Sequence, residues 1–318
     1  MQMSFRRYSQ RDPGCAPRCK RRKLRLTVAL GLTSLVSSIV MGPAQAVGSG
    51  TVVGNLDIVT LASPKFQHGA ARTVRIWTPA TYDSKATKTR YPVLYMHDGQ
   101  NLFDAKTSYA GEWQVDEGIT DLISGGSRGA IVVGIDNSPA RFEELSPPWL
   151  NNDGKKYPNV VSDTYADFIV KVVKPYVDAR YNTVADRAHT GIGGSSMGGI
   201  MSFYMGLKYP KVFGKVLAFS PSFVLYREKD YLAALAKQDF SKKDAAPRIY
   251  FYAGGQGYGR QSEAGIAASL PAVVKTLKKA KFPATQITSL TWSWAAHNEG
   301  AWSTAFPDAF SWLFYPGK

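Results

Sequence analysis

The stretch HTGIGGSSMGGI, residues 189–200, decides the fold class because it places a G-x-S-x-G motif between two predicted elements. Residues 188–192 predict a strand directly before the motif, and residues 197–209 predict a helix directly after it. In that context the central serine lies on a sharp strand-to-helix turn, where small neighbours are needed because the backbone packs closely. We therefore predict that Ser196 is a nucleophile held on such a turn; the alternative is a simple glycine-rich turn.

Strands and helices alternate along the rest of the chain. Short β-branched runs predict strands at 72–77, 91–96, 130–135, 215–219, 248–252 and 286–292. Amphipathic runs predict helices at 163–181, 262–280 and 301–313, the first bent or broken at Pro175. The alternation predicts one domain over residues 47–318 with the α/β-hydrolase fold, a mostly parallel central sheet with helices on both faces. Sheets of this kind carry reactive groups at the carboxyl ends of their strands.

The first 46 residues differ from this domain. Residues 1–25 carry nine Lys or Arg side chains against one acidic residue, and an apolar stretch follows at 26–41. An A-x-A pattern then ends at Ala46. This order predicts a signal peptide over residues 1–46, and hence an exported protein, periplasmic or secreted. A permanent anchor is the alternative, but the apolar stretch is shorter than the roughly 18 residues that span a bilayer.

Charge and cysteine content exclude several function classes. The chain has 39 basic and 24 acidic residues, and without the leader its net charge falls from +15 to about +7. That small excess forms no basic run, so no nucleic-acid partner is expected. Cys15 and Cys19 both lie in the leader, which excludes disulfides and cysteine nucleophiles from the mature chain. No H-x-x-H pair or phosphate-loop spacing is present, so we expect neither a metal nor a cofactor. Because the only long apolar stretch lies in the leader, we also expect no stable membrane anchor after cleavage.

The histidines identify a general base by elimination. The chain has four of them: His68, His97, His189 and His297. On this fold the catalytic order along the chain is nucleophile, acid, histidine, and only His297 follows Ser196. It lies between the last predicted strand and the last predicted helix, where a loop can carry it over the nucleophile. We predict His297 as the general base.

Two backbone amides are candidates for an oxyanion hole. The turn at Ser196 directs the amide of Met197 toward the charge that develops on a substrate carbonyl. A strand ends at His97, and the amide of Asp98 or Gly99 just after it is the candidate for the second donor. The alternative is a strand-end turn held by polar side chains.

Several ordered motifs resemble the putative esterase family of the α/β-hydrolases, which includes enterochelin esterases and feruloyl esterases. The resemblance runs from about Arg72 to Phe314 and rests on RTVRIWTPATY, YPVLYMHDGQNLFD, RFEELSP, HTGIGGSSMGGIMSFYMGLKYPKVFGKVLAFSPSF, IYFYAGG and HNEGAW. It implies a serine esterase that cleaves a small-molecule or carbohydrate ester, such as a siderophore or feruloyl ester, through an acyl-enzyme. Ser196 and His297 hold the matching positions. The resemblance also suggests that Arg141 lies on the substrate side; an exposed ion pair is the alternative.

The acid of the triad is where the sequence departs from the family. Members often carry a Glu soon after a glycine pair that follows the strand at 248–252, and Gly257 lies near that position here. Glu263 comes six residues later. Either the loop is longer and Glu263 orients His297, or a serine–histidine dyad operates. A third alternative is that Glu263 only stabilises the N-terminus of the next helix.

Two other functions use the same features. An acyltransferase passes the acyl group to a hydroxyl instead of water. A non-catalytic ligand-binding protein derived from a hydrolase is favoured by the displaced acid, but not by the intact motif around Ser196 or by His297. The sequence does not indicate the oligomeric state.

Four aromatic residues in the predicted loops could line a pocket or pack in the core: Phe103, Tyr109, Trp113 and Trp149.

Overall fold

The structure is a computed structural model that describes residues 50–62, 71–86, 88–157, 159–242 and 244–316. The predicted signal peptide, residues 1–46, and its cleavage site lie outside the described residues. In the ranges that are described, every helix is too short or too polar to cross a membrane.

The strands form one eight-stranded sheet in the described chain. They are β1 (Asn55–Ala62), β2 (Ala71–Thr78), β3 (Val93–His97), β4 (Ile131–Ile135), β5 (Thr190–Ser195), β6 (Lys215–Phe219), β7 (Arg248–Gly254) and β8 (Ile287–Trp292). Their order is β1-β2-β4-β3-β5-β6-β7-β8. The strand β2 pairs antiparallel with both β1 and β4, and all other pairs are parallel. The mostly parallel sheet predicted from the sequence is confirmed.

The helices are α1 (Val115–Ser124), α2 (Arg141–Leu145), α3 (Ser162–Phe168), α4 (Lys174–Arg180), α5 (Met197–Lys208), α6 (Glu228–Ala236), α7 (Glu263–Lys279) and α8 (Glu299–Phe314). The helix predicted over 163–181 comprises α3, a π-helical turn at Ile169–Val173, and α4. Pro175 lies in the first turn of α4. Because proline has no N–H to donate, the regular helical hydrogen-bond pattern changes just before it, as the sequence predicts.

The core has two layers, one on each face of the sheet. In β3, Val93 and Tyr95 pack in one layer, and Leu94 and Met96 in the other. The first layer also contains buried residues of α3, α5, α6 and α7: Tyr165, Phe203, Tyr231 and Leu270. The second contains buried residues of α1 and α8: Ile119, Phe306 and Phe310. Because β3 to β8 run parallel, their carboxyl ends lie at one edge of the sheet. The candidate site lies in the loops at that edge.

Candidate active site

Ser196 lies between β5 and α5 in a backbone conformation that is unusual for a residue with a side chain. Its φ is 56° and its ψ is −118°. Such a conformation costs about 1–3 kcal/mol and persists only where the surroundings impose it. Here the N–H of Ser196 donates to the carbonyl oxygen of Phe219 at the end of β6 (2.9 Å). The sharp strand-to-helix turn predicted from the motif is therefore present.

Two glycines make this turn possible. A side chain on Gly194 would lie 2.9 Å from the backbone carbon of Gly198, and one on Gly199 would collide with the carbonyl oxygen of Phe219. The small residues of the motif thus let the first turn of α5 pack directly against the ends of β5 and β6.

The Ser196 hydroxyl faces a second serine. Its Oγ lies 3.3 Å from the Oγ of Ser222, in the loop after β6, and the Ser222 N–H donates to the Ser196 carbonyl (3.2 Å). Among the hydrogen bonds of the described residues, Ser196 Oγ is joined to Ser222 and not to His297. Sequence reasoning gave Ser222 no role, although it lies in the SPSF segment that contributes to the family resemblance.

His297 lies in the loop between β8 and α8 and is hydrogen-bonded to Glu263. Its Nδ1 contacts Oε1 of Glu263. The other carboxylate oxygen of Glu263 accepts the N–H of Gly254, the last residue of β7, at 2.5 Å. The Glu263 side chain is 1% exposed, whereas that of His297 is 38% exposed. A buried carboxylate fixed by the sheet thus holds the Nδ1 edge of an imidazole that remains partly exposed to solvent.

The loop before Glu263 explains how a residue so far from β7 returns to it. Gly257 and Gly259 both have positive φ values, which turn the chain back on itself. The cap of α7 is Ser262, whose Oγ accepts the N–H of Gly265 (3.2 Å), so the helix N-terminus does not use the Glu263 side chain. The Glu263 side chain instead contacts His297 and the amide of Gly254.

Trp302 supports the ring of His297 from the other side. The two rings are nearly perpendicular, with centroids 5.1 Å apart. The indole N–H of Trp302 donates to the hydroxyl of Ser220 (2.9 Å), which fixes the indole against the end of β6. The residue lies in the HNEGAW motif, yet a tryptophan in a helix gives no sequence signal that distinguishes this contact from ordinary core packing.

The candidate oxyanion donors belong to two segments that pack near Ser196. Met197 is the first residue of α5, so its amide has no acceptor within the helix. His97 and Asp98 pack against the same turn, since a side chain on Gly198 would lie 3.1 Å from Cβ of His97 and 3.5 Å from Oδ2 of Asp98. Gly99 opens a short 3-10 turn packed against the end of β4. The fold thus brings the two candidate donor segments together.

Arg141 forms a two-point ion pair with Asp98. Its Nε and Nη2 lie 2.7 and 2.8 Å from the two carboxylate oxygens. Burial alone would raise the pKa of Asp98, but the hydrogen bonds and charge of Arg141, together with Asn137, lower it below its usual value. The Arg141 side chain stays 34% exposed, so it borders the solvent at the edge of the site.

Other polar groups at this edge stay neutral or buried. Burial lowers the pKa of His97 to about 4, and its Nδ1 pairs with the hydroxyl of Tyr165 (2.9 Å). Burial also raises the pKa of Glu299, whose Oε1 accepts from the amide of Asn101 (3.2 Å). Burial therefore makes His97 a weaker base than an exposed histidine. Glu299 was not singled out from the sequence because its spacing from His297 matches no known motif.

Aromatic side chains in the loops divide between core and surface. Phe103 and Trp113 are buried, and Trp149 packs among other rings. Tyr109 is 72% exposed, and its hydroxyl donates to Asn137 (3.0 Å). Trp294 is also exposed and stacks on Trp292 just before the His297 loop, which sequence reasoning did not foresee.

Together, the strand order, the turn at Ser196 and the loop positions define an α/β-hydrolase. The family profile described as "Putative esterase" matches residues 67–313 of the chain. The chain belongs to that family, which supports carboxylic ester hydrolysis as its reaction.

Individual relatives are more distant. One curated protein, the uncharacterized protein YbbA of Bacillus subtilis (strain 168), is 23% identical over 252 residues, covering 76% of this chain and 92% of its own. Among solved structures, a ferulic acid esterase is 17% identical with a TM-score of 0.57, covering 82% of this chain and 98% of its own. The ferric enterobactin esterase of Salmonella typhimurium is 22% identical with a TM-score of 0.63, over 84% of this chain and 60% of its own. At these identities the structural matches establish the fold.

Proposed function

We propose that the chain is an exported serine esterase, with Ser196 as nucleophile, His297 as general base and Glu263 as the acid that orients the base. One observation carries the proposal: the buried Glu263 is held by the amide of Gly254 and hydrogen-bonded to His297. A carboxylate in this position fixes the imidazole tautomer that carries hydrogen on Nδ1, which leaves Nε2 free to accept a proton.

In the first half of the reaction, Ser196 Oγ attacks the carbonyl carbon of the ester as His297 Nε2 takes the hydroxyl proton. Glu263 stabilises the imidazolium that forms. The amide of Met197, with that of Asp98 or Gly99, binds the oxyanion. When the tetrahedral intermediate collapses, the ester C–O bond breaks, and His297 returns the proton to the leaving alcohol. The product is an acyl group on Ser196.

In the second half, His297 takes a proton from water, and the hydroxide attacks the acyl carbon. The bond to Ser196 Oγ breaks, the serine recovers its proton from His297, and the carboxylic acid leaves. The Ser196 hydroxyl must turn away from Ser222 to engage His297. Catalytic hydrogen bonds often form fully only when a substrate is bound, so the contact with Ser222 is compatible with this role.

The substrate is proposed to be an ester with an aromatic acyl group or a sugar alcohol. Two structural relatives are named for ferulic acid and for ferric enterobactin. In this chain the exposed rings of Tyr109 and Trp294 lie in loops that follow strands of the sheet, and the partly exposed guanidinium of Arg141 lies at the start of α2, at the same sheet edge. Aromatic faces and a cation suit flat acyl groups and sugar rings.

The test is covalent labelling with a fluorophosphonate, followed by intact mass measurement. The wild-type protein should gain one adduct, and Ser196→Ala should gain none. Ser195→Ala is the matched control, because it removes the neighbouring hydroxyl of the same motif and should keep the adduct. No adduct on the folded wild type would overturn the catalytic proposal and favour ligand binding.

If the wild-type protein is labelled, the unlabelled enzyme is then assayed against a set of esters, with and without an added acceptor alcohol. Release of free acid at the same rate with and without acceptor agrees with the esterase. A product in which the acyl group appears mainly on the acceptor would identify an acyltransferase and overturn the assignment of hydrolysis.

A further inference from the structure

Three acidic side chains lie together at the start of α1, apart from the groups assigned to the ester reaction. Glu112, Asp116 and Glu117 each bring one carboxylate oxygen to within 4.8 Å of the other two. Calcium binds oxygens at about 2.3–2.6 Å, so two oxygens on opposite sides of one ion lie about 4.6–5.2 Å apart. The spacing of the three oxygens is therefore compatible with a shared calcium ion.

The strongest sign of a ligand is the state of Asp116, which is completely buried. Its Oδ2 accepts the N–H of Val53 (2.7 Å), but its Oδ1 has no N–H or hydroxyl donor in the described parts of the chain, and a hydrogen bond between the carboxyl groups of Asp116 and Glu117 needs a shared proton. A buried carboxylate oxygen without a donor is costly, because it has lost water and gained nothing. One oxygen of Glu117 is likewise shielded from solvent and unpartnered. These oxygens require either a shared proton or a cation.

The described part of the chain offers these three carboxylates no cationic partner. Among the ion pairs of the described residues, none includes Glu112, Asp116 or Glu117. The N-terminus of α1 favours negative charge, but that partial charge is worth only about 0.3–1 kcal/mol for an acidic group nearby. It does not offset three carboxylates in one place.

We propose that Glu112, Asp116 and Glu117 form a calcium site that fastens residues 51–53 to the start of α1. Two contacts already join these segments: the Thr51 hydroxyl donates to Glu112 (2.6 Å), and the Val53 N–H donates to Asp116. The sequence predicted no metal because it contains no H-x-x-H pair. That argument concerns sites with histidine ligands and does not apply to a site made of carboxylates. The carboxylates are assembled by the fold, with Glu112 in the loop and the other two in the helix.

The donor set selects the metal. It consists of carboxylate oxygens, which suit hard cations, and contains no sulfur or imidazole for zinc or copper. Magnesium gives up its water reluctantly and usually keeps several water ligands. Calcium sheds water more readily and tolerates irregular geometry, which suits the water-excluded oxygen of Asp116.

The same segment also leads to the catalytic edge. The N–H groups of Trp113 and Val115 donate to the carbonyls of Asn101 (2.8 Å) and Leu102 (3.0 Å), just after the proposed oxyanion turn. Trp113 packs against Trp302, the residue that contacts His297. A cation at the start of α1 therefore stabilises the scaffold beside the site without touching a reacting group.

The test uses protein produced from the full-length chain, treated with EDTA and then titrated with calcium chloride. Isothermal calorimetry should show one bound calcium ion per chain. Thermal unfolding should show a higher midpoint with calcium, with the folding equilibrium constant raised about 100-fold when calcium is at 100 times its Kd. Terbium, which replaces calcium and luminesces when excited through a nearby tryptophan, gives a third readout through Trp113.

The decisive variant is Asp116→Asn. An asparagine oxygen can still accept the Val53 N–H, and its NH₂ can donate to Glu117, so this variant should fold without calcium and lose the calcium response. Glu117→Gln is a second variant that should also lose it. Asp121→Asn removes an exposed carboxylate from the same helix and should bind calcium as the wild type does.

Three results would overturn the proposal. Absence of binding and of any calcium effect on the wild-type midpoint would mean that Asp116 and Glu117 share a proton. Unchanged calcium affinity in both cluster variants would place the ion elsewhere. Equal affinity for magnesium would refute the assignment to calcium.

Discussion

Replacing Glu263 with glutamine removes one acceptor from a carboxylate that serves two donors. The donors are the Nδ1–H of His297 and the N–H of Gly254. A glutamine side chain has one oxygen and one NH₂ group, so it cannot accept from both. The Gly254 N–H is always a donor and therefore claims the oxygen, which leaves the NH₂ group facing Nδ1 of His297.

That arrangement changes the protonation pattern of the imidazole. An NH₂ group opposite Nδ1 favours the tautomer with hydrogen on Nε2, and this tautomer cannot accept the proton of Ser196. The corresponding Asp-to-Asn change in a serine protease lowers kcat about 10⁴-fold for this reason. We expect kcat/KM of Glu263→Gln to fall about 10³- to 10⁴-fold, which corresponds to about 4–5.5 kcal/mol of transition-state stabilisation.

The assay is hydrolysis of a p-nitrophenyl ester by purified wild type and variant, with circular dichroism to confirm folding. Glu299→Gln is the matched control, because Glu299 is also buried near His297 but is not hydrogen-bonded to it in the described structure, and a glutamine oxygen can still accept from the side chain of Asn101. The control should stay within about tenfold of wild type, the loss of one hydrogen bond at most. A Glu263→Gln enzyme that keeps more than a tenth of the wild-type kcat/KM would refute the role of Glu263 and indicate a dyad.

Three further predictions concern other parts of the chain. Ser222→Ala removes a resting contact of Ser196 worth about 0.5–1.5 kcal/mol, so kcat/KM should be unchanged or rise up to about tenfold in the same assay; a tenfold fall would give Ser222 a catalytic role. Arg141→Met leaves Asp98 without its cation and should cost roughly 1–3 kcal/mol in urea unfolding, less than for a fully buried pair since Arg141 is a third exposed. The pKa of Asp98 is lowered in the folded state, so the stability that the ion pair contributes is present above the unfolded pKa of about 4 and is lost as pH falls through the folded pKa. The unfolding free energies of the variant and the wild type should therefore converge in acid. A difference that stays constant with pH would contradict the ion-pair account. Exported protein should begin at Val47 by N-terminal mass analysis, and a mass that includes the leader would mean an uncleaved anchor.

The sequence was sufficient for the elements with strong local signals. The turn at Ser196 is encoded within five residues, because the glycines that permit close packing are adjacent to the serine they serve. The strands β3 to β8 follow from apolar β-branched runs. By contrast, β1 was missed because the prediction relied on continuous apolar runs, whereas residues 55–62 mix polar and apolar side chains at the sheet edge, where burial is partial. The helices α1, α2 and α6 were also missed, since α2 is only five residues long and all three join longer loops.

Parts of the site that depend on distance in space were less accessible. The hydrogen bond between His297 and Glu263 joins residues 34 positions apart. Its formation depends on the length of the glycine-containing loop between β7 and α7, which no periodicity reveals. The contact between Ser196 and Ser222 and the cluster at Asp116 have the same origin, because each unites separate loops or elements.

The burial of Glu263 has a consequence for how the loop must be built. A carboxylate that is 1% exposed is stable as an anion only if its hydrogen bonds replace lost water, and here they come from the end of β7 and from His297. The amide of Gly254 belongs to the sheet, so the donor that fixes the acid does not move with the loop. Positive φ at Gly257 and Gly259 then lets the longer loop return the chain to this fixed donor. The proposed acid therefore lies at the strand end in space although it comes later in the sequence than the family pattern predicts, which is why a search by position alone finds Gly257 and not Glu263.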